Sequence, residues 1–405
     1  MNSSYSAPET YRPRWITPAL QEASRDHPVV VLTGARQVGK STLLLNAEPF
    51  RDWRFRSLDD FDTLRQARQK PEALWAGADR VVLDEVQKAP ELLSAVKQAV
   101  DRQPRRLRFV LSGSANLLLM KQVSESLAGR AVYFVLHPMT LGEINQVALP
   151  NILSRTLARD WLEESSASEA PPDPAPALLR GLMPPLLTLS STQAWVRWWD
   201  GYVSTYLERD LRQVSQIDAL LDFRRLMEFV ALRSGQLLNQ SEVARDARLA
   251  QATVHRYLNI LETTHLFERL PPYTASRTTR MLKSPKAFWN DPGLAVFLSG
   301  YFEVDDLRKA REYGAYFETL IYHHVRVPGC ISGGRERAPK LTLSWNMGGG
   351  CWPSRSNTRP IQTIATPRGC AASWPSTPRP QAGFCSIVAG KFADWTRLSW
   401  PFPGP

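Results

Sequence analysis

One stretch of eight residues combines glycine, lysine and serine at the spacing that phosphate groups require. Residues 34–41 read Gly-Ala-Arg-Gln-Val-Gly-Lys-Ser, which matches Gly-x-x-x-x-Gly-Lys-Ser/Thr. The glycines allow successive backbone N–H groups to surround an anion, Lys40 can reach the outer phosphates, and the Ser41 hydroxyl can ligate Mg²⁺. The pattern therefore predicts a site for a nucleoside triphosphate. The predicted binding residues are Gly34, Ala35, Arg36, Gln37, Val38, Gly39, Lys40, Ser41 and Thr42.

Two adjacent acids follow a second apolar run, Arg80-Val81-Val82-Leu83. Such a run is typical of a strand buried on both faces of a parallel sheet, and its carboxyl end is where ligands of open α/β sheets bind. Asp84 is expected to hold Mg²⁺, directly or through water, and Glu85 to polarise an attacking water. The alternative for both acids is a solvated strand end.

Two further side chains are candidates for the same site. The run that ends near Ser112 is followed by Ser114, a small polar residue that we expect to contact the γ-phosphate or the attacking water, with Ser112 and Asn116 as alternatives. Arg130 follows Gly129 and is expected to stabilise transition-state charge on the triphosphate, in cis or in trans. The alternative for Arg130 is a surface arginine after a glycine that ends a helix.

The elements that must position these residues alternate between residues 28 and about 145. Apolar strands separated by helical stretches predict a mostly parallel sheet covered on both faces, hence an α/β fold. The predicted strands are Val29–Thr33, Trp53–Ser57, Val81–Leu83, Phe109–Ser112 and Val132–Leu136.

The second half of the chain has a different character. Residues 165 to about 185 are rich in Ser, Ala and Pro, which predicts a mobile linker or long loop. A helical region follows, in which Trp195, Trp198 and Trp199 are expected to pack in the core rather than to stack on bases.

Residues 222–300 have the pattern of a winged helix-turn-helix. Helices are predicted at Gln240–Ala247 and Gln251–Leu261, and the spacing of Val254, Leu258 and Leu261 indicates one buried stripe. Such modules bind DNA or dock onto proteins, and both alternatives stay open here. The residues expected to face outward from the second helix are Thr253, His255, Arg256 and Asn259, and those of a basic wing are Arg277, Arg280, Lys283 and Lys286.

Composition limits the class of protein. The formal net charge is +11, but residues 328–405 contain nine Lys and Arg against two acids, so most of the excess lies in that tail. The four cysteines, also in the tail, show no zinc-ligand spacing. We find no secretion signal and no membrane-length apolar run, so the sequence predicts a cytoplasmic protein without a membrane segment.

Several of these motifs occur together in a known family. Gly34–Ser41, Leu83–Lys88, Leu111–Ser114, Leu127–Arg130 and Lys283–Lys286 follow in that order, and the chain from about residue 10 to 327 resembles prokaryotic AAA-type P-loop ATPases with a C-terminal domain of uncharacterised function. The resemblance implies ATP binding with Mg²⁺ and hydrolysis. The expected parts are an AAA-type ATPase domain at 1–150, a linker and helical lid at 151–194, a helical and winged-helix domain at 195–300, the start of a nuclease-like domain at 301–327 and an irregular tail at 328–405.

The resemblance also implies a last domain similar to PD-(D/E)xK nucleases. Glu318 occupies the position of its helical acid, and the match ends after Val327. Reading residues 340–357 in a shifted frame, under one permitted choice of codons, yields an Asp strand followed by Glu-x-Lys. Our hypothesis is a frameshift near residues 326–330 that leaves a disordered tail without the metal site. Resequencing the gene across this junction tests it, since an undisturbed frame would refute it.

Three functions follow from these patterns. The leading hypothesis is a Mg²⁺-dependent ATPase that acts as a molecular switch or motor, with an unidentified protein partner and a homo-oligomeric state. A second hypothesis is a winged-helix regulator that binds DNA and uses its nucleotide site for sensing or structure. An active nuclease, the third hypothesis, requires the carboxylate and lysine set that the tail lacks.

Overall fold

The computed structural model describes most of the chain as far as residue 332. Its described residues are 11–103, 106–114, 127–149, 173–205, 219–272 and 283–332, with side chains as far as Val327. Asn116 and the predicted wing residues Arg277 and Arg280 lie outside these ranges, as does the predicted tail from residue 333 onward.

Five parallel strands form the central sheet. They are β1 (Val29–Thr33), β2 (Arg54–Ser57), β3 (Arg80–Asp84), β4 (Arg108–Ser112) and β5 (Ala131–Val135). Their order across the sheet is β2-β3-β4-β1-β5, and every neighbouring pair is parallel. The predicted α/β fold is therefore confirmed, and each predicted strand lies within about one residue of its observed bounds. This order brings the carboxyl ends of β1, β3 and β4 to one edge of the sheet.

Helices cover both faces of this sheet. They are α1 (Thr17–Asp26), α2 (Lys40–Asn46), α3 (Phe61–Gln69), α4 (Leu92–Arg102) and the short α5 (Leu141–Ile144). Val30 and Leu32 of β1 belong to the apolar cluster that contains α1 and α2, whereas Val29 and Val31 belong to the cluster that contains α3 and α4. Burial on both faces explains why β1 is a continuous apolar run instead of an alternating one.

The chain after residue 172 is mostly helical, as predicted. Its helices are α6 (Ala175–Arg180), α7 (Thr192–Tyr202), α8 (Leu220–Ala231), α9 (Gln240–Ala247), α10 (Gln251–Thr263), α11 (Pro292–Leu298), α12 (Val304–Lys309) and α13 (Tyr313–Ser332). A two-stranded antiparallel sheet of β6 (Phe267–Leu270) and β7 (Lys286–Trp289) follows α10.

Helices α9 and α10 lie where the sequence predicts them. Asn239 caps α9 by accepting hydrogen bonds from the N–H groups of Ser241 and Glu242, and the predicted stripe of α10 is buried. One outward position differs from the prediction: Asn259 is half-buried, because its Oδ1 accepts a hydrogen bond of 2.6 Å from Arg269 of β6. The winged-helix assignment of this region stays a prediction.

The prediction of a mobile linker is wrong for residues 174–185. Helix α6 is buried there along one face, and Leu178, Leu182 and Met183 are each at most 1% exposed. Tertiary burial of these apolar side chains outweighs a composition that resembles a linker. The tryptophan prediction fares better, because Trp195 and Trp199 belong to the same core.

Helix α13 carries Glu318, the acid that the resemblance placed in a nuclease-like site. Its carboxylate forms an ion pair with Lys286 of β7. Within the described ranges, no group of three or more His, Cys, Asp or Glu side chains is arranged to hold a metal ion. None of the helices in those ranges combines the length and apolar character needed to cross a membrane.

Candidate functional site

The predicted phosphate loop connects β1 to α2 at the carboxyl edge of the sheet. Two of its glycines are required by the backbone: Gly34 has φ 149°, and a Cβ there would lie 2.3 Å from the carbonyl oxygen of Leu136. Gly39 has φ 92° and directly precedes α2. Arg36 and Gln37 are exposed at the tip of the loop, while Val38 is buried beneath it.

Lys40 bends back beneath this loop. Its Nζ donates hydrogen bonds to the carbonyl oxygens of Gly34, at 3.2 Å, and Ala35, at 3.0 Å. Burial lowers the pKa of Lys40, while the nearby carboxylates of Glu85 and Asp84 raise it. A buried ammonium group held by neutral carbonyls is well suited to receive a phosphate anion.

Ser41 and Asp84 meet as the sequence predicts for a magnesium site. The Ser41 hydroxyl donates a hydrogen bond of 2.7 Å to Asp84 Oδ2, and the other carboxylate oxygen, Oδ1, is buried and has no hydrogen-bond partner among the described residues. Buried polar atoms are normally paired, so this oxygen suits a cation. Hydroxyl and carboxylate oxygens are the ligands that Mg²⁺ prefers, and the pair therefore fits the ion. Thr42 follows in the first turn of α2.

Glu85 and Ser114 lie on either side of Gln87. The amide Nε2 of Gln87 donates hydrogen bonds to Glu85 Oε2 and, at 3.0 Å, to Ser114 Oγ. Burial, followed by the charge of Asp84, raises the pKa of Glu85. Ser112, the alternative to Ser114, is fully buried, and its Oγ has no hydrogen-bond partner among the described residues.

Arg130 lies at the opposite edge of the sheet. It directly precedes Ala131, which pairs with Val29 at the amino end of β1, so five strand residues, or about 16 Å, separate it from the phosphate loop. Its guanidinium group instead binds the Asp101 carboxylate through two hydrogen bonds, of 2.5 and 3.0 Å. The predicted contact in cis is wrong for this arrangement, and the contact in trans stays a prediction.

The sequence gave no indication of a buried arginine that supports the loop from below. Arg14 donates hydrogen bonds to the carbonyl oxygens of Val38, at 2.8 Å, and His137, at 2.6 Å, and its Nε lies 3.2 Å from Glu143 Oε1. The Arg14 and Glu143 side chains are 5% and 1% exposed. The one available signal was a charged residue directly before the apolar pair Trp15-Ile16.

A histidine from the second half of the chain also reaches this edge. His265, in the turn between α10 and β6, places Nε2 3.2 Å from Thr33 Oγ1, and Thr33 directly precedes Gly34. Burial, with Arg326 and Lys40 nearby, lowers the pKa of His265 to about 4, so its ring is neutral near pH 7. The end of β1 is therefore connected both to the nucleotide loop and to the helical region.

Comparison with known proteins assigns the two halves separately. Residues 26–145 match the AAA domain family, and residues 173–305 match a domain of unknown function. Uncharacterized proteins of Mycobacterium bovis and Mycobacterium tuberculosis are each 32% identical over 307 residues, which is 76% of this chain. The chain spans 64% of the length of these relatives.

Two solved structures share parts of the architecture at low similarity. A Walker-type ATPase of Pyrococcus abyssi has a TM-score of 0.43 at 16% identity, covering 70% of this chain and 94% of its own. A Signal Transduction ATPase with Numerous Domains from Pyrococcus horikoshii, which carries a tetratricopeptide repeat sensor, has a TM-score of 0.24 at 11% identity, covering 80% of this chain and 49% of its own.

The sheet order, the loop geometry and the AAA domain match define the class of the first half. Residues 26–145 form an AAA-type P-loop domain, a class of domain that binds nucleoside triphosphates. The helical region joined to it is similar to a domain of unknown function.

Proposed function

We propose that this protein is a Mg²⁺-dependent ATPase whose nucleotide site controls the packing of its helical region. The observation that carries the proposal is the meeting of Lys40, Ser41, Asp84 and Glu85 at one edge of the sheet. The loop between Gly34 and Gly39 supplies backbone donors, and Lys40 supplies positive charge to the β- and γ-phosphates. Ser41 and Asp84 would hold Mg²⁺, which neutralises phosphate charge when bound.

Hydrolysis in this proposal proceeds by direct attack of water on the γ-phosphorus. Glu85 accepts a proton from the water as its oxygen bonds to phosphorus, and the bond from the γ-phosphorus to the bridging oxygen breaks so that ADP leaves. The raised pKa of Glu85, caused first by burial and then by Asp84, makes it a stronger base than an exposed carboxylate.

Two contacts support control of the helical region by the nucleotide. Tyr202 of α7 donates a hydrogen bond of 3.4 Å to the carbonyl oxygen of Arg36, and His265 contacts Thr33. Because both partners flank or form the phosphate loop, a change in the loop alters what α7 and the turn before β6 pack against. Hydrogen exchange of residues 192–202 and 257–270 with and without ATP measures this coupling, and identical exchange would contradict it.

The ATPase proposal is tested on the full chain with two variants. Lys40→Ala is expected to lower ATP affinity at least tenfold, because the ammonium group is lost beside the phosphates, and Glu85→Gln to retain binding while turnover falls about 100-fold. Lys70→Ala and Glu72→Gln change exposed residues and serve as controls. Unchanged affinity in the first variant would remove the loop as the nucleotide site, and unchanged turnover in the second would remove Glu85 as the base.

DNA binding by α9 and α10 is the less favoured alternative. His255 and Arg256 are exposed on α10, but Asn259 is bound to Arg269 and the wing residues Arg277 and Arg280 lie outside the described residues. Salt-dependent binding to duplex DNA tests this alternative, and its absence at low salt would exclude it. A cytoplasmic location, a protein partner and a homo-oligomeric state belong to the proposed ATPase function.

A further inference from the structure

We propose that Gln87 is a positioning residue that orients Glu85 toward the attacking water and connects it to β4 through Ser114. This inference rests on the proposed ATP hydrolysis, and it adds a residue to which neither the phosphate-loop pattern nor the comparisons give a role.

The amide group of Gln87 joins two neighbouring strands. Glu85 follows β3 and Ser114 lies just beyond β4, and these strands pair with Leu83 opposite Leu111. Nε2 of Gln87 carries two hydrogen atoms and lies within hydrogen-bond distance of Glu85 Oε2 and Ser114 Oγ. One side chain therefore holds the acid of one strand end against the hydroxyl of the next.

Backbone geometry places Gln87 where it can do this. Glu85 has φ 56° and ψ 38°, a left-handed conformation that is uncommon for a residue with a side chain. The left-handed residue starts a 3₁₀ turn at Val86–Lys88, which is closed by a 3.0 Å hydrogen bond from the N–H of Lys88 to the carbonyl oxygen of Glu85. The turn brings the side chain of residue 87 back beside that of residue 85.

The contact leaves Glu85 half engaged. Gln87 binds Oε2, and the other carboxylate oxygen, Oε1, makes no hydrogen bond within the described part of the chain. A long acidic side chain has several accessible rotamers, so a donor that fixes one oxygen restricts where the second oxygen points. We infer that this second oxygen is the one that accepts the proton of the water.

The choice of an amide at position 87 follows from the charges around it. Asp84, Glu85 and Lys40 already provide two carboxylates and one ammonium group at this edge. A neutral donor binds Glu85 without competing with Lys40 for the phosphates, whereas a third carboxylate would repel Glu85.

The proposal is tested by steady-state ATP turnover of the full chain. Gln87→Ala is expected to lower kcat about tenfold, because the base is still present but no longer held, while KM stays within about twofold. Gln87→Glu has nearly the same shape, yet it replaces the donor by an acceptor, and its kcat is expected to fall further. Gln98→Ala, an exposed glutamine of α4, is the matched control and should turn over like the original chain.

A double variant separates positioning from a general structural role. If Gln87 acts through Glu85, then adding Gln87→Ala to Glu85→Gln lowers kcat no further. An additional tenfold loss in the double variant overturns the proposal, as does a Gln87→Ala kcat equal to that of Gln98→Ala. Should Gln87→Ala unfold, the isosteric Gln87→Glu gives the same comparison. Absence of turnover in the original chain would overturn the ATPase function along with this inference, whereas normal turnover with unaffected Gln87 variants would overturn this inference alone.

Discussion

Asp84 is a buried carboxylate that uses one of its oxygens for Ser41 and has no hydrogen bond from described residues to the other. An unpaired charged oxygen inside a protein costs free energy, on the order of 1–3 kcal/mol or more. A cation bound at this oxygen would remove that cost. We therefore expect the affinity for Mg²⁺ and the stability of this edge of the sheet to increase together.

Arg130 gives the prediction that belongs to the scale of a single residue. Because it lies at the far edge of the sheet, it can reach a triphosphate only on a neighbouring copy of the chain, and we propose that it does so after releasing Asp101. Arg130→Ala and Lys40→Ala are each expected to hydrolyse ATP slowly. In a mixture of the two, the loop of the first variant meets Arg130 of the second, so turnover should exceed the sum of the separate rates.

The matched control for this experiment is a mixture of Lys40→Ala with Glu85→Gln. Both defects then lie on the loop side of the site, so no combination of copies restores a complete site. Turnover of the first mixture that only equals the sum of its parts would contradict a role for Arg130 in trans.

Individual site residues differ in how far sequence can predict them. Lys40, Ser41 and Asp84 were predictable because their spacing is tied to a loop and strand that place them together. Arg14, Gln87 and His265 were not, because their partners are set by packing, and the partners of Arg14 and His265 lie far away in the chain, with Thr33 and His265 separated by 232 positions. Proximity of that kind leaves no local pattern.

Among the elements, the segment from Arg14 to α1 and the helix α5 act together beneath the phosphate loop. Thr140 and Glu143 form a capping box at the start of α5, and the same Glu143 accepts a hydrogen bond of 2.7 Å from the N–H of Trp15. Arg14 completes the arrangement by binding Glu143 and the carbonyl oxygen of Val38. The position of the loop thus depends on two elements outside the loop itself.

Arg14→Ala is expected to lower the free energy of unfolding by about 3–5 kcal/mol, since it leaves the buried Glu143 without its ion-pair partner. ATP affinity should fall as well, because Val38 loses the donor that holds its carbonyl oxygen. Denaturant unfolding and ATP titration measure the two effects. Arg25→Ala, at an exposed position on α1, is the control. Loss of less than about 1 kcal/mol would show that the pair does not stabilise this region.

Strand positions were predictable because burial on both faces leaves continuous apolar runs between turns. Helix α6 was not, because its Pro and Ala content resembles that of a linker and its helical state depends on packing against distant residues. One such contact is Asp291, which accepts a hydrogen bond of 2.9 Å from the N–H of Leu182. The frameshift hypothesis concerns residues beyond the described ranges and stays a prediction.

Across the whole molecule, buried histidines join the AAA-type domain to α13. The ring of His323 lies 3.1 Å from the carbonyl oxygen of Pro138, and the N–H of Leu141 donates a 2.7 Å hydrogen bond to His324. Burial lowers the pKa of His324 to about 4, and it lowers the pKa values of His137 and His323 well below the usual range. These rings are neutral near pH 7, and protonating them would place charge at a buried junction.

The protein should therefore lose stability in mild acid. A histidine whose folded pKa is depressed, such as His265 or His324, contributes stability above about pH 6.5 that is lost as the pH falls through about 4. Asp291 acts in the opposite direction, because burial raises its pKa to about 6 and its contribution is lost as the pH rises through that value. Four histidines against one acid predict a net fall in Tm between pH 7 and pH 4.5.

Replacing one histidine tests this assignment. Tm should depend less on pH in His324→Gln, which keeps an acceptor without a titratable ring, than in the original chain. His255→Gln, at an exposed histidine, should leave the dependence unchanged. Equal pH dependence of Tm in all three proteins would show that the buried rings do not account for acid sensitivity.

The contact between Thr33 and His265 has a thermodynamic consequence for any partner of the helical region. Binding free energies at two coupled sites are reciprocal. If ATP changes the affinity for such a partner by some factor through this contact, the partner must change the affinity for ATP by the same factor. The preference of the loop for ATP can then be adjusted from the far half of the chain, without altering any group that touches phosphate.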